Sequence, residues 1–172
     1  EFRHYLTAST PNLIAFWMHR IAVGWVMWEL TGSAAWLGIL AFAELFPTVL
    51  LTAIGGVLVD RLGAKRMAMV TQGVLVILKT VMALIVGFEL ATPVLLVGLT
   101  VIQGLTLAFF SPARLAMVPQ LVPTSDVGNA VALNSILFNL ARFIGPALAG
   151  FTIAMAGPAL AIAAYAVTAT YF

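Results

Sequence analysis

Long apolar stretches, each followed by a short polar turn, constrain this chain more than any other feature of its sequence. Several stretches reach the length of about 20 mainly apolar residues that a helix needs to cross a bilayer. Hydrophobic residues make up 63% of the chain and charged residues only 8%, too few to keep such a surface in water. Because backbone polar groups in lipid must be paired within the spanning segment, the stretches predict membrane-spanning helices.

The polar turns divide the sequence into five complete spans and part of a sixth. Gly, Pro and small polar residues mark the turns, as is usual where helices end and begin. The spans are expected at about 8–30, 35–59, 67–88, 94–110, 129–156 and 158–172. The sixth stops inside an apolar run, so we interpret the chain as a fragment with a truncated sixth helix. The predicted fold class is an all-α membrane protein in one domain, residues 1–172.

The distribution of basic residues predicts the orientation of these spans. Cations in the predicted loops all fall on one side of the bilayer: Arg3, Arg61, Lys65, Arg66 and Arg114. The turns at Thr31, Glu89 and Gly157 carry neither Lys nor Arg. Because cytoplasmic loops are enriched in Lys and Arg, the basic side and the amino terminus are expected in the cytoplasm. The pI of about 9.4 therefore reflects membrane topology, and no nucleic-acid partner is expected.

Charged residues also occur within the predicted spans, where they are costly. At about 1.5 Å per residue, each lies roughly 12 to 18 Å from an end of its span. A charge at that depth costs about 2.5 to 3.5 kcal/mol, so it should face a bundle interior or a wet cavity. The simplest arrangement is convergence on one polar cavity with three cations and one acid. The four candidate cavity residues are Arg20, Glu44, Lys79 and Arg142.

Several explanations of this charge imbalance are open from the sequence. Glu44 could pair with Arg20 or Lys79 simply to hold helices together. The excess cations could meet acids from elsewhere in the protein or an anionic ligand, or Lys79 could be uncharged, as could His19. His19 is interpreted as an ordinary helix-interface residue. As the one carboxylate within the predicted spans, Glu44 is the candidate for proton exchange.

The loop from Gly56 to Arg66 is the densest polar cluster in the chain. Topology accounts for Lys65 and Arg66, but it gives no reason for Asp60 or for a glycine in the tight turn. The loop resembles the signature between helices 2 and 3 of the major facilitator superfamily. The matching residues are Gly56, Leu58, Asp60, Arg61, Gly63, Lys65 and Arg66.

The fifth span combines small residues with a proline. Ala141, Gly145 and Ala149 recur every four residues, which lets a neighbouring helix approach closely, and Pro146 permits a bend. With Gly150, this segment is similar to the helix 5 motif of antiporters in the superfamily. Other segments resemble its enterobactin exporter-like efflux branch: Glu29–Ser33, Ser111–Arg114 and Asn129–Asn134.

The resemblance implies the amino-terminal half of a twelve-helix transporter in a bacterial-type cytoplasmic (inner) membrane. It implies secondary active, proton-coupled efflux of a small amphiphilic molecule, such as a siderophore or drug, by alternating access. Asp60, with Arg61 and Arg114 as charge partners, would close the cytoplasmic side. The expected partners are the substrate, protons or another coupling ion, lipid and the carboxy-terminal half of the transporter.

Two other functions remain open from the sequence. A non-transporting membrane scaffold or sensor could keep the same fold. Membrane-embedded catalysis is disfavoured, because the spans contain neither a His/Asp/Glu cluster at helical spacing nor a Ser/His/Asp set. The chain is therefore not expected to be an enzyme or to carry a cofactor.

Opposite topologies of spans 1–3 and 4–6, each with a glycine-interrupted helix, also suggest an inverted repeat.

Overall fold

The computed structural model describes residues 2–169, with side chains from His4 onward. Within this range the chain forms α-helices and no strand, which confirms the all-α class. Two short 3-10 turns, Val118–Leu121 and Thr124–Asp126, connect the fourth and fifth helices. The six helices of the described range are α1 (Phe2–Thr31), α2 (Ala34–Leu62), α3 (Ala64–Gly87), α4 (Pro93–Met117), α5 (Val127–Ala156) and α6 (Pro158–Ala169).

Four segments of the described range are long and apolar enough to cross a membrane. They are Ala34–Leu62, Ala64–Gly87, Pro93–Leu121 and Thr124–Ala156, and Pro158–Ala169 is a shorter apolar helix. Helix α1 is also long, at 30 residues, but its polar side chains lower its hydropathy below that of these four. The chain is thus a multi-pass membrane protein.

Helix ends differ from the predicted span ends where a helix continues past its most apolar part. Helix α1 begins at Phe2 and not near residue 8, and α4 continues through Pro112 to Met117. Hydropathy marks the part of a helix suited to lipid, whereas hydrogen bonding along the backbone carries the helix further. The side chain of Arg3 and residues 170–172 lie outside the described part, so truncation of the sixth helix stays a prediction.

The pattern of helix contacts is the one expected of an inverted repeat. Helix α2 packs most extensively against α4, α1 packs against α5 and α6, and α3 packs against α4 and α6. If α1, α2 and α3 correspond to α4, α5 and α6, the contact between α2 and α4 corresponds to the contact between α5 and α1. In the same way, the contact between α3 and α4 corresponds to the contact between α6 and α1. Both pairs are present, as expected if each group of three helices is one repeat.

Glycines permit the closest helix contacts in the two pairs that this exchange relates. In the α2–α4 pair, a Cβ atom on Gly55 would overlap a backbone carbonyl of α4, and one on Gly104 would overlap the carbonyl of Glu44. In the α1–α5 pair, a Cβ atom on Gly145 would lie 2.5 Å from the Cβ atom of Trp17. These contacts bring α2 and α1 close to the helices that complete the site below.

Candidate functional site

An ion pair between α1 and α2 is the centre of the candidate site. Nε of Arg20 lies 3.4 Å from Oε2 of Glu44, and the two side chains are 33% and 10% exposed. Glu44 is ten residues from the start of α2, hence about 15 Å from that end of the helix. The pair therefore lies near the middle of a bilayer of ordinary thickness, where a charge needs a partner.

Beside this pair, three fully buried polar side chains meet at one amide. Oε1 of Gln103 on α4 accepts hydrogen bonds from Nζ of Lys79 on α3 and, at 3.2 Å, from Nε2 of His19 on α1. An amide oxygen can only accept, so His19 carries its hydrogen on Nε2. Lys79 also interacts electrostatically with Glu44 and Arg20. The amide of Gln103 thus links three helices around the buried amino group of Lys79.

A cavity of about 150 Å³ opens next to these groups. Its polar lining consists of His19, Arg20, Glu44, Thr100 and Gln103, from α1, α2 and α4. Two buried lining atoms, Nδ1 of His19 and Oγ1 of Thr100, have no hydrogen-bond partner among the described residues. Such atoms at a polar cavity favour a site that accepts a ligand or water.

Arg142 is not part of the lining of this cavity, but the ring of Trp17 connects it to Arg20, which is. The side chain of Arg142 is exposed on α5, and its guanidinium carbon is 5.4 Å from the centroid of the Trp17 ring. The guanidinium carbon of Arg20 lies 5.5 Å from the same ring. Three of the four predicted charges thus converge directly, whereas Arg142 is connected to them through Trp17.

Further buried polar groups extend from Lys79 toward the α4–α5 connection. Nζ of Lys79 lies 5.5 Å from the ring centroid of Tyr165, whose hydroxyl donates to Oε1 of Gln72 at 3.2 Å. A second cavity, of about 60 Å³, lies beside Tyr165 and contains Asn12 and Arg114 in its lining. Polar side chains therefore follow the inside of the bundle for several turns of α1 and α4.

Arg114 is held within the bundle and makes no described ion pair with Asp60. Its Nη1 donates to Oδ1 of Asn134 on α5 at 3.4 Å, and its guanidinium carbon lies 5.8 Å from the Phe138 ring. Arg114 also interacts with Tyr5 on α1. It thus connects three helices at one end of the bundle, instead of standing free beside the loop.

The loop between α2 and α3 is a single residue. Gly63 alone separates the two helices, with φ at +88°, a conformation that residues with a side chain rarely adopt. The flanking charged side chains are all exposed, and none has an ion-pair or hydrogen-bond partner among the described residues: Asp60, Arg61, Lys65 and Arg66. The glycine is required by the turn, and the charges are left available to other molecules or segments.

The small residues singled out in the sequence differ in what they contact. Ala141 and Gly145 are buried on one face of α5, where α1 approaches. Gly56 and Gly150 are more open, and an added Cβ atom would meet nothing within 4 Å at either position. Helix α5 runs without interruption through Pro146. Close approach therefore depends on Gly55, Gly104 and Gly145.

Sequence reasoning missed the central part played by Gln103 and the position of Trp17. One signal was present: Thr100, Gln103 and Thr106 are buried polar residues three positions apart on the mainly apolar α4. That spacing keeps them on neighbouring turns of one face. His19, interpreted as a helix-interface residue, is at such an interface but also lines the cavity. Nothing in the sequence indicated that Trp17 lies beside two arginines.

Fold and site together define the class: a helical membrane protein of six packed helices, with charges beside a cavity near the middle of the helices. That arrangement is typical of secondary transporters. Residues 1–172 match the family of the major facilitator superfamily described as "transmembrane secretion effector". The chain belongs to this family.

Curated relatives are transporters and efflux proteins. The chain is 25% identical over 154 residues to the staphyloferrin A transporter of Staphylococcus aureus, covering 89% of this chain and 39% of the relative. It is 30% identical over 161 residues to the multidrug efflux pump Tap of Mycolicibacterium fortuitum, covering 88% and 37%. It is 27% identical over 150 residues to macrolide efflux protein A of Streptococcus pyogenes, covering 87% and 37%.

The chain thus spans less than two fifths of the length of each of these relatives. The relatives are named for transport and efflux, which agrees with the expectation that the chain is not an enzyme. No solved structure matches the chain.

Proposed function

We propose that the chain is the amino-terminal half of a proton-coupled exporter that moves a small amphiphilic molecule, such as a siderophore or drug, by alternating access. The observation that carries this proposal is the Arg20–Glu44 pair beside Lys79, in a cavity at mid-bilayer depth. Relatives named for siderophore, multidrug and macrolide transport support the choice of cargo. Arg142 lies at the edge of this site, where a carboxy-terminal half would complete it.

Glu44 is the group proposed to take up and release the coupling proton. Among the acids of the described range, it is the one that is buried. Protonation would remove the negative charge that faces Arg20 and Lys79, and would therefore weaken the contact between α1 and α2. A proton can thus bias the bundle between two arrangements by the difference in its affinity for them.

Asp60 is proposed to close the cytoplasmic side, with the amino terminus of the chain also on that side of the inner membrane. It lies in the last turn of α2, where the helix dipole disfavours an acid by about 0.3 to 1 kcal/mol. An acid kept at such a position is suited to contact a helix amino terminus in the other half of the transporter. Arg61 would take part in that contact, and Arg114 would support it by joining α4 to α5.

The test uses the full-length protein in proteoliposomes, with erythromycin as the probe and an imposed pH gradient. Glu44→Gln should abolish pH-driven accumulation of the probe, because the amide cannot exchange the proton. Exchange of labelled for unlabelled probe at equal pH should continue, since that process needs no net proton movement. Glu29→Gln, an exposed glutamate near the end of α1, is the matched control and should accumulate the probe normally.

Full pH-driven accumulation by Glu44→Gln would refute the coupling role of Glu44. Absence of pH-driven accumulation in the unchanged protein, for erythromycin and for staphyloferrin A alike, would refute proton-coupled export.

A further inference from the structure

Trp17 is held in one orientation between α1 and α5. Gly145 brings the backbone of α5 against its Cβ atom, and the rings of Phe16 and Phe138 each meet its indole edge to face at 5.7 Å. Trp17 is therefore a rigid platform at the border between the cavity and the exposed face of α5.

Two arginines from different helices share this platform. The guanidinium carbons of Arg20 and Arg142 lie 5.5 Å and 5.4 Å from the ring centroid, so they are no farther apart than the sum of these distances. A cation above an aromatic face is oriented by the ring quadrupole, but its charge is not neutralised. Both guanidinium groups therefore keep their positive charge beside the same ring.

The balance of charge at the platform is positive within the described residues. Arg20 faces Glu44 at 3.4 Å, whereas Arg142 has no carboxylate within ion-pair distance. Arg142 is exposed and Arg20 is 33% exposed, so both guanidinium groups are open to a molecule outside the described bundle. Guanidinium groups present a planar fork of N–H donors that matches the geometry of a carboxylate.

We propose that Arg142 and Arg20, placed together at the ring of Trp17, form a binding subsite for a carboxylate or similar small anionic group of the transported molecule. The inference rests on the proposed transport function, because it assigns a chemical class to part of the cargo. Glu44 is the internal competitor for Arg20. An anion at this subsite therefore binds more tightly when the carboxylate of Glu44 is removed.

The test measures equilibrium binding to the purified full-length protein by calorimetry, with citrate as the anionic probe and trimethyl citrate as its uncharged counterpart. Citrate should bind and trimethyl citrate should not. Arg142→Gln should weaken citrate binding on the order of tenfold, the effect of losing one charged hydrogen-bond donor group. Arg142→Lys keeps the charge but loses the planar fork of donors. Its citrate affinity should lie between those of the unchanged protein and Arg142→Gln.

Glu44→Gln should change citrate affinity in the opposite direction, because Arg20 is then free of its competitor. Glu29→Gln serves as the control and should leave the affinity unchanged. Arg142 is exposed, so its variants should keep the unfolding temperature of the unchanged protein, which is measured in parallel.

Citrate affinity unaffected by Arg142→Gln would overturn the proposal, as would equal binding of trimethyl citrate or no citrate binding at all. A fall in unfolding temperature for Arg142→Gln with unchanged citrate affinity would also overturn it, and would indicate a partner carboxylate in another part of the protein. Citrate binding is measured without transport, so the binding result can be interpreted even if the protein shows no pH-driven export.

Discussion

The charges in the middle of the helices and the charges in the α2–α3 loop differ in whether they have partners. Near the bilayer centre, Arg20 faces Glu44, and Lys79 donates to Gln103. In the loop, Asp60 and its basic neighbours are exposed and have no partner among the described residues. The difference shows where partners are obligatory: an ion in lipid must be paired, whereas water solvates an ion in a loop at little cost.

The two groups of charges differ in what they contribute to the fold. The buried mid-helix residues Glu44, Lys79 and Gln103 connect helices as well as forming the candidate site. The loop charges contribute little to the described bundle, so their presence calls for another explanation, such as membrane orientation or contact with another segment. Removing a partner should therefore be severe in the first region and mild in the second.

The largest effect is expected for Gln103→Leu, which would leave the buried amino group of Lys79 without its acceptor. A buried donor left unpaired costs about 1 to 3 kcal/mol of unfolding free energy, and about 3 to 5 kcal/mol when the group is charged. The unfolding transition of the purified full-length protein in detergent should fall accordingly. Gln120→Leu, the same change at an exposed position outside the helices that form the site, is the control and should have little effect.

The double variant Lys79→Met with Gln103→Leu sharpens this prediction. Replacing both polar groups by apolar ones removes the unpaired amino group, so most of the lost stability should return. If Gln103→Leu alone unfolded no more easily than the unchanged protein, Gln103 would not be the group that stabilises Lys79 in the bundle.

A smaller effect is expected for Gly63→Ala in the turn between the two helices. The φ angle of +88° with ψ at +134° is strained for a residue with a side chain, at a cost of about 1 to 3 kcal/mol. Gly56→Ala is the matched control, because Gly56 lies within α2 with free space around it, and alanine there should be neutral or slightly stabilising. Equal unfolding temperatures for the two variants would contradict the strained turn.

The smallest effect on stability is expected for Asp60→Asn. Because the side chain is exposed and unpaired, the unfolding temperature should not change measurably. Transport is the sharper measurement: if Asp60 closes the cytoplasmic side, the rate of pH-driven erythromycin export should fall although the protein is as stable as before. A normal export rate would favour plain membrane orientation as the role of this loop, and Asp126→Asn provides the exposed control.

Sequence reasoning predicted the helical membrane fold well because its signals are local. Apolar length and turn residues mark each helix, and lipid leaves few alternatives to helices for such stretches. The charges of Arg20, Glu44 and Lys79 were recognised for the same reason, since any ion within a span is conspicuous. Which of them would pair was not predictable, because pairing depends on how α1, α2, α3 and α4 are rotated against one another.

The sequence by itself determined a multi-pass helical chain with the loop signature of the major facilitator superfamily and with charges at mid-membrane depth. Only the tertiary structure decided that Glu44 faces Arg20, that Gln103 receives Lys79 and His19, and that Trp17 lies beside Arg20 and Arg142. The physical reason is that hydropathy and turn chemistry act within one segment. Close contacts depend on small residues, Gly55, Gly104 and Gly145 above all, that set the distance and rotation between helices distant in sequence.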